Sequence, residues 1–152
     1  MLKKIFFIFL SFILVNNCDY KPVYSKQNKV NYKIVIVSSS GDKYINNLIA
    51  TNLKRTSKEE SDETINIVFD TQYKKNILAK NSAGSITDYQ TDVVTTFMIE
   101  KDDDSESFSV NEKFNFKKMT DKYEEKNYER NIKKNLANSI SEKLILRLAV
   151  IK

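Results

Sequence analysis

Hydrophobic and polar positions along this chain change period several times, and each change marks an element. Tyr32 to Val37 is a short β-branched run that predicts a strand. Its apolar residues occupy both faces from Ile34 onward, so it is expected inside the sheet. Ser38 to Asp42 reads as a turn. From Lys43 to Arg55, Ile45, Leu48, Ile49, Asn52 and Leu53 recur at helical spacing, one stripe of an amphipathic helix. Asp42 or Ser40 can cap its first N–H groups. Thr56 to Glu63 is polar and predicts a surface loop.

Period two then takes over. Between 64 and 78, Ile65, Ile67, Phe69, Thr71 and Tyr73 share one face, with Val68 the exception on the other. After turn residues 80–85, the run 86–100 places Tyr89, Val93, Thr95, Phe97 and Ile99 on its apolar side. An acidic turn leads to a third alternation, with Phe108, Val110, Phe114 and Phe116 inward. Glu112 interrupts that inward series and predicts a bulge or register change. Such runs joined by short turns predict an antiparallel meander with one wet face. From Thr120 onward, Tyr128, Ile132, Leu136, Ile140, Leu144 and Leu148 recur every fourth residue, widened by Ala137, Ile145 and Ile151. Asp121 with Glu124 reads as a capping box, and Glu124 and Glu125 suit the positive helix end. The last turns are apolar nearly all round, so that end is buried on more than one side or meets a partner. The order β-α-β-β-β-α predicts an α+β two-layer sandwich, two helices packed on a four-stranded, mostly antiparallel sheet.

The first 17 residues follow neither period. Met1-Leu2-Lys3-Lys4 precedes eleven almost purely apolar residues, Ile5 to Val15, and then Asn16-Asn17-Cys18. A basic start and a short apolar stretch have the form of a signal peptide, too short to span a bilayer at roughly 20 residues. Cys18 is the only cysteine and stands at the expected cleavage point, which predicts lipid attachment there. The reading is therefore 1–17 signal peptide, 18–31 lipidated N-terminal linker, and 32–152 a single α+β domain. In the linker, Pro22 biases the chain toward an extended form. Tyr20 and Tyr24 are candidate partner-binding residues, able to pack either on a partner or on their own domain.

Charge and composition narrow the chemistry. Loss of Lys3 and Lys4 would take the net charge from +5 to +3, a mild match for an anionic partner such as a phosphorylated lipid. Histidine is absent, which removes Ser-His-Asp and Cys-His mechanisms and the commonest zinc ligand. With two glycines and no phosphate-cradling motif, nucleotide sites are disfavoured as well. Lys74, Lys75 and Lys80, flanking the first meander turn, are candidates for lipid phosphates, or simply solvated residues. Asp102-Asp103-Asp104 lacks calcium-loop spacing and reads as an acidic turn rather than a metal site. No catalytic residue, metal or cofactor is expected.

Cys18-Asp-Tyr-Lys-Pro-Val-Tyr24 resembles the post-lipidation motif Cys-Gly-Phe-(Arg/Lys)-Pro-Leu-Tyr of the LPS-assembly lipoprotein family, LptE, in its alphaproteobacterial form. Ala83-Gly-Ser-Ile-Thr87 with Phe97-Met-Ile99 looks like that family's central strand. Phe114-Asn-Phe116, Tyr123 and the helix from Tyr128 resemble its last strand and long helix. The resemblance implies a non-enzymatic lipoprotein of the outer membrane, on its periplasmic face. It would plug and help assemble the β-barrel LptD and take part in lipopolysaccharide transport, with no nucleic-acid partner. Two departures are visible. Asp88 or Tyr89 stands where the family usually has arginine, and Asp19 resembles an inner-membrane retention signal of enteric bacteria. A free-standing periplasmic lipoprotein that binds a small lipid or serves an ABC transporter is the other reading of the same features.

Overall fold

The period-two segments become strands because their apolar parity is buried on one side only. The computed structural model describes residues 30–151, which form β1 (Lys33–Gly41), α1 (Lys43–Thr56), β2 (Thr64–Lys80), β3 (Ile86–Lys101), β4 (Asp104–Lys117) and α2 (Lys122–Leu148). The sheet order is β1-β2-β3-β4, with β1 parallel to β2 and the other two pairings antiparallel. Both helices lie on one face. The expected α+β architecture, β-α-β-β-β-α, is the one observed.

The core is the sum of the predicted faces. Ile65, Ile67 and Phe69 of β2 and Val93, Phe97 and Ile99 of β3 are buried beneath Ile45, Ile49 and Leu53 of α1 and Ile132, Leu136, Ile140, Leu144 and Leu148 of α2. Each such side chain contributes roughly 1.5–3 kcal/mol on leaving water. Phe69, Phe97 and Phe108 are cross-strand neighbours and form an aromatic row, with ring centroids 5.5 and 6.5 Å apart. The polar member of the α1 stripe has its own use. Asn52 donates to Asn138 Oδ1 at 3.0 Å and to Ser141 Oγ at 3.2 Å, bridging the two helices. Val30, from the segment read as linker, is buried against the core.

Three expectations about the strands are corrected. β1 is an edge strand rather than an internal one. Its crossover through α1 sets it beside β2, and both hairpins continue the sheet away from it. Ser38 to Gly41 are not a turn. A bulge after Ile36 lets Ser38 pair with Val68 and Gly41 with Thr71, so ladder hydrogen bonding overrides the weak strand propensity of serine. Glu112 causes no bulge, because the β3–β4 register is continuous through its pairing with Val93. The carboxylate is satisfied from α2 instead, accepting from Ser139 Oγ at 2.7 Å and pairing with Lys143 Nζ at 2.8 Å. The remaining irregularity lies at the far end of β2, between Ile77 and Lys80.

Asp42 settles how α1 begins. Its Oδ1 accepts from the N–H groups of Tyr44 and Ile45, both at 3.0 Å, while Ser40 bonds Asp70 across the sheet. Gly41 joins strand to helix at φ 92°, and a Cβ there would lie 1.9 Å from the Thr71 carbonyl oxygen. Only glycine allows that approach. At α2, Asp121 accepts from Tyr123 and Glu124 as the capping pattern predicts. The neighbouring Glu125, rather than Glu124, reaches back to accept from Met119 N at 3.0 Å.

Candidate functional site

The meander brings lysines together at one end of the sandwich. Lys80 closes β2, and Lys117 closes β4 in register with Asp88 near the start of β3. Lys118 and Lys122 follow in the connection to α2, tied down where Lys118 N donates to Thr87 O at 2.8 Å. All four lysines are exposed. Beside Lys117, Lys118 and Lys122 opens a cleft of about 890 Å³, lined by those lysines with Ile86, Tyr89, Met119 and Glu125, among others. Beyond it the β2 irregularity leaves Ile77 and Leu78 in solvent, 52% and 48% exposed. Ammonium groups beside apolar side chains suit an anionic amphiphile. The opposite end carries Glu59, Glu60, Asp62 and the Asp102–Asp104 turn, and there Glu63 pairs with Lys101 at 3.1 Å.

The three lysines singled out in the sequence do not converge. Lys74 is exposed on the outer face, in register with Asp92, which pairs with Lys113 at 3.5 Å. Lys75 points the other way, under α2. Its Nζ lies 3.0 Å from both Glu125 Oε1 and Glu129 Oε2 and stands over the Tyr89 ring at 4.2 Å. Tyr73 donates to Glu129 Oε1 at 2.6 Å. Lys133 pairs with Asp42 at 2.7 Å and covers the Tyr73 ring. Burial pushes the Glu129 carboxyl up, but hydrogen bonds from Tyr73 and Lys75 outweigh it and hold it below the usual carboxylate value. Glu125 and Asp42 are lowered in the same way, against burial, by Lys75 and by Lys133. Burial, reinforced by Glu129, pushes the Tyr73 phenol well up. This network fixes α2 on the sheet.

Lys117, Lys118 and Lys122 were not picked out from the sequence. The Lys117-Lys118 doublet between the last strand and the helix was the available signal. Cys18, Tyr20 and Tyr24 lie outside the described residues. Among the described residues, no group of three or more His, Cys, Asp or Glu is placed to hold a metal ion, and no helix is long and apolar enough to cross a membrane.

Among the described residues, nothing covers the sheet face away from the helices. Ser38, Val68, Met98 and Ser107 form one row across it, and Ser40, Asp70, Thr96 and Ser109 the next. That surface carries many hydroxyl and carboxamide groups together with charged residues, among them Asp70, Lys74, Asp92 and Lys113.

No protein-family model and no curated protein sequence matches the chain. Solved structures do. Rare lipoprotein B from Shewanella oneidensis superposes with a TM-score of 0.53 at 12% identity, over 72% of this chain and 92% of that one. Lipoprotein B from Nitrosomonas europaea gives 0.51 at 14% identity, over 81% of this chain and 88% of that one. This chain has the fold of those two lipoproteins.

Proposed function

We propose that this chain is an envelope lipoprotein, anchored through acyl chains on Cys18, that plugs the outer-membrane barrel LptD, assists its assembly and takes part in moving lipopolysaccharide to the cell surface. The observation that carries the reading is the fold shared with rare lipoprotein B, found behind a Cys18–Tyr24 segment that resembles the LptE family's lipidation motif. The surface is consistent with it. A domain seated in a polar lumen needs a polar exterior and a filled core, and the sheet face away from the helices is largely polar among the described residues. The role is non-enzymatic. Stable anchoring takes more than one acyl chain, at roughly 0.8 kcal/mol per buried CH₂. The basic cleft beside Lys117, Lys118 and Lys122 supplies phosphate-binding groups for lipopolysaccharide.

The test is purification of the tagged full chain from detergent-solubilised outer membranes. The expected product is an equimolar complex with LptD. A chain that fractionates with the outer membrane but emerges alone and monomeric overturns the plug reading. A Cys18→Ala variant should leave the membrane fraction, and if it stays there the lipid anchor is wrong.

A further inference from the structure

The sheet has two edges, and they differ. The edge at β1 is engaged from its start, where Ile34 N donates to Ser57 Oγ at 2.9 Å and Lys58 N donates to Tyr32 O at 3.0 Å. β4 forms the other edge, since its ladder runs to β3 alone among the described residues. That strand is 14 residues long, with neither a proline nor a bulge. Lys118 N, just past its end, donates to Thr87 O, so the even-numbered residues turn their backbone groups to β3. Ser105, Ser107, Ser109, Asn111, Lys113 and Asn115 turn theirs outward, a row able to template another strand. Charges usually blunt such an edge, but here they are held by the chain itself: Glu112 by Lys143, Glu106 by Arg147 and Lys113 by Asp92. Large apolar side chains stand along the same flank. Phe114 is 39% exposed, and Tyr128, Leu146 and Val150 are exposed as well. Tyr128, Ser139 and Leu146 share one stripe of α2, and Ser139 bonds Glu112 on β4, so that stripe overlooks the edge.

We propose that β4 pairs with β4 of a second copy of this chain, antiparallel about a twofold axis at Asn111, joining the two sheets into one. Self-complementarity selects this occupant and this register. β4 begins beside the acidic turn Asp102–Asp104 and ends in the basic pair Lys117-Lys118. An antiparallel twofold therefore brings an acidic end to a basic end twice over. With Asn111 opposite itself, Asp104 stands opposite Lys118 of the second copy and Ser105 opposite its Lys117. On the helix side Phe108 then meets Phe114, an aromatic pair at the close, non-hydrogen-bonded positions. On the other face Ser107 meets Asn115 and Ser109 meets Lys113. Neighbouring registers are worse. An axis at Val110 sets Phe108 against Glu112, and an axis at Glu112 sets two carboxylates face to face. The helices agree with the strands. Arg147 pairs with Glu106 and Tyr128 packs on Phe116, and this register places Glu106 opposite Phe116 of the second copy. Leu146 of one α2 thus approaches Tyr128 of the other, closing the apolar flank. The pairing concerns the chain on its own and does not rest on the barrel partner or on lipopolysaccharide.

The experiment is thiol crosslinking of the full chain in detergent micelles with a short bis-maleimide, the unsubstituted chain setting the background from Cys18. Asn111→Cys should give a covalent dimer about tenfold faster, or more, than Ser107→Cys. In the proposed register the two Asn111 positions are adjacent, whereas the two Ser107 positions lie about 27 Å apart at roughly 3.4 Å per residue. Light scattering should also show the dimer weakened by about tenfold or more in Asn111→Pro, because the N–H removed there is unbonded in a single copy and bonded in the pair. Both thiols replace exposed residues, so a proline variant that folds poorly leaves the crosslinking result intact. Crosslinking at background level in both thiol variants overturns the proposal. Equal rates at the two positions overturn it too, since they report chance encounters of chains sharing a micelle. A dimer that forms as well in a folded Asn111→Pro chain places the contact elsewhere and overturns it equally.

Discussion

Lys75→Met tests whether α2 is held at its N-terminal end by charge rather than by apolar contact. The first buried apolar residue of α2 is Ile132, so Lys122 to Asn131 dock through other means. Those means are the two ion pairs of Lys75 with Glu125 and Glu129, the Tyr73–Glu129 hydrogen bond, and Tyr128 against Phe116. Methionine keeps the unbranched stem against Tyr89 and Phe116 and removes only the ammonium. Two partly screened charge-assisted hydrogen bonds at about 1 kcal/mol each are lost. A cation–π term of about 0.5–1 kcal/mol goes with them, offset by a sulfur–aromatic contact of similar size. The expected loss at pH 7 is about 2 kcal/mol, measured by urea unfolding. The pH window follows from the shifts. Glu125 and Glu129 have lowered folded values, so their contribution is present above the ordinary glutamate pKa of about 4.3 and is lost as pH falls through the folded values. Lys75 has a raised folded value, so its contribution is present below about 10.4 and is lost at higher pH. The two chains should therefore differ by a constant amount between about pH 5 and pH 10 and converge at acid pH. Amide exchange should rise first in Lys122 to Asn131. A Lys75→Met chain within about 0.5 kcal/mol of the parent at pH 7, or one equally weakened at pH 3, would refute the reasoning.

Gly41→Ala should cost about 3 kcal/mol or more, or prevent folding, because its Cβ meets the Thr71 carbonyl at positive φ. Gly84→Ala, also at positive φ but in open space, should cost about 1 kcal/mol, and thermal unfolding distinguishes the two. Thr71 and Thr95 are fully buried and bond each other at 3.0 Å. Thr71→Val alone should cost about 1–2 kcal/mol, and adding Thr95→Val should recover much of it, because no unpaired hydroxyl then remains. A double-mutant cycle by urea unfolding reads this directly. Reversing Lys117, Lys118 and Lys122 to glutamate should weaken binding to phosphate-bearing lipopolysaccharide micelles by about tenfold or more, and the loss should shrink in high salt. Unchanged binding would remove the basic cleft from the proposed role.

Element order was legible because period and type are local properties. Ile65 to Tyr73 could bury one face only as a strand, and the fourfold recurrence from Ile132 to Leu148 only as a helix. The caps at Asp42 and Asp121 were legible for the same reason, since a cap involves residues within one turn. The candidate site was legible only in part. Lys74 and Lys75 are neighbours in sequence, yet alternation along β2 sends them to opposite faces, and α2 supplies Lys75 with carboxylates some fifty residues away. The cleft depends on Lys117, Lys118 and Lys122 meeting the start of β3, a juxtaposition made by strand pairing.

By itself the sequence determined the six elements, the buried faces and the absence of histidine chemistry, because each is a matter of composition or short-range period. Tertiary structure alone decided that β1 is an edge, that Ser38–Gly41 extend it, and that Glu112 sits without a bulge. In each case a partner distant in the chain supplied the deciding interaction: β2 through its ladder for the serines, and Ser139 and Lys143 of α2 for the carboxylate. Pairing free energy of that kind outweighs the local preference of one or two residues, and no local pattern records where the pairing partner will be.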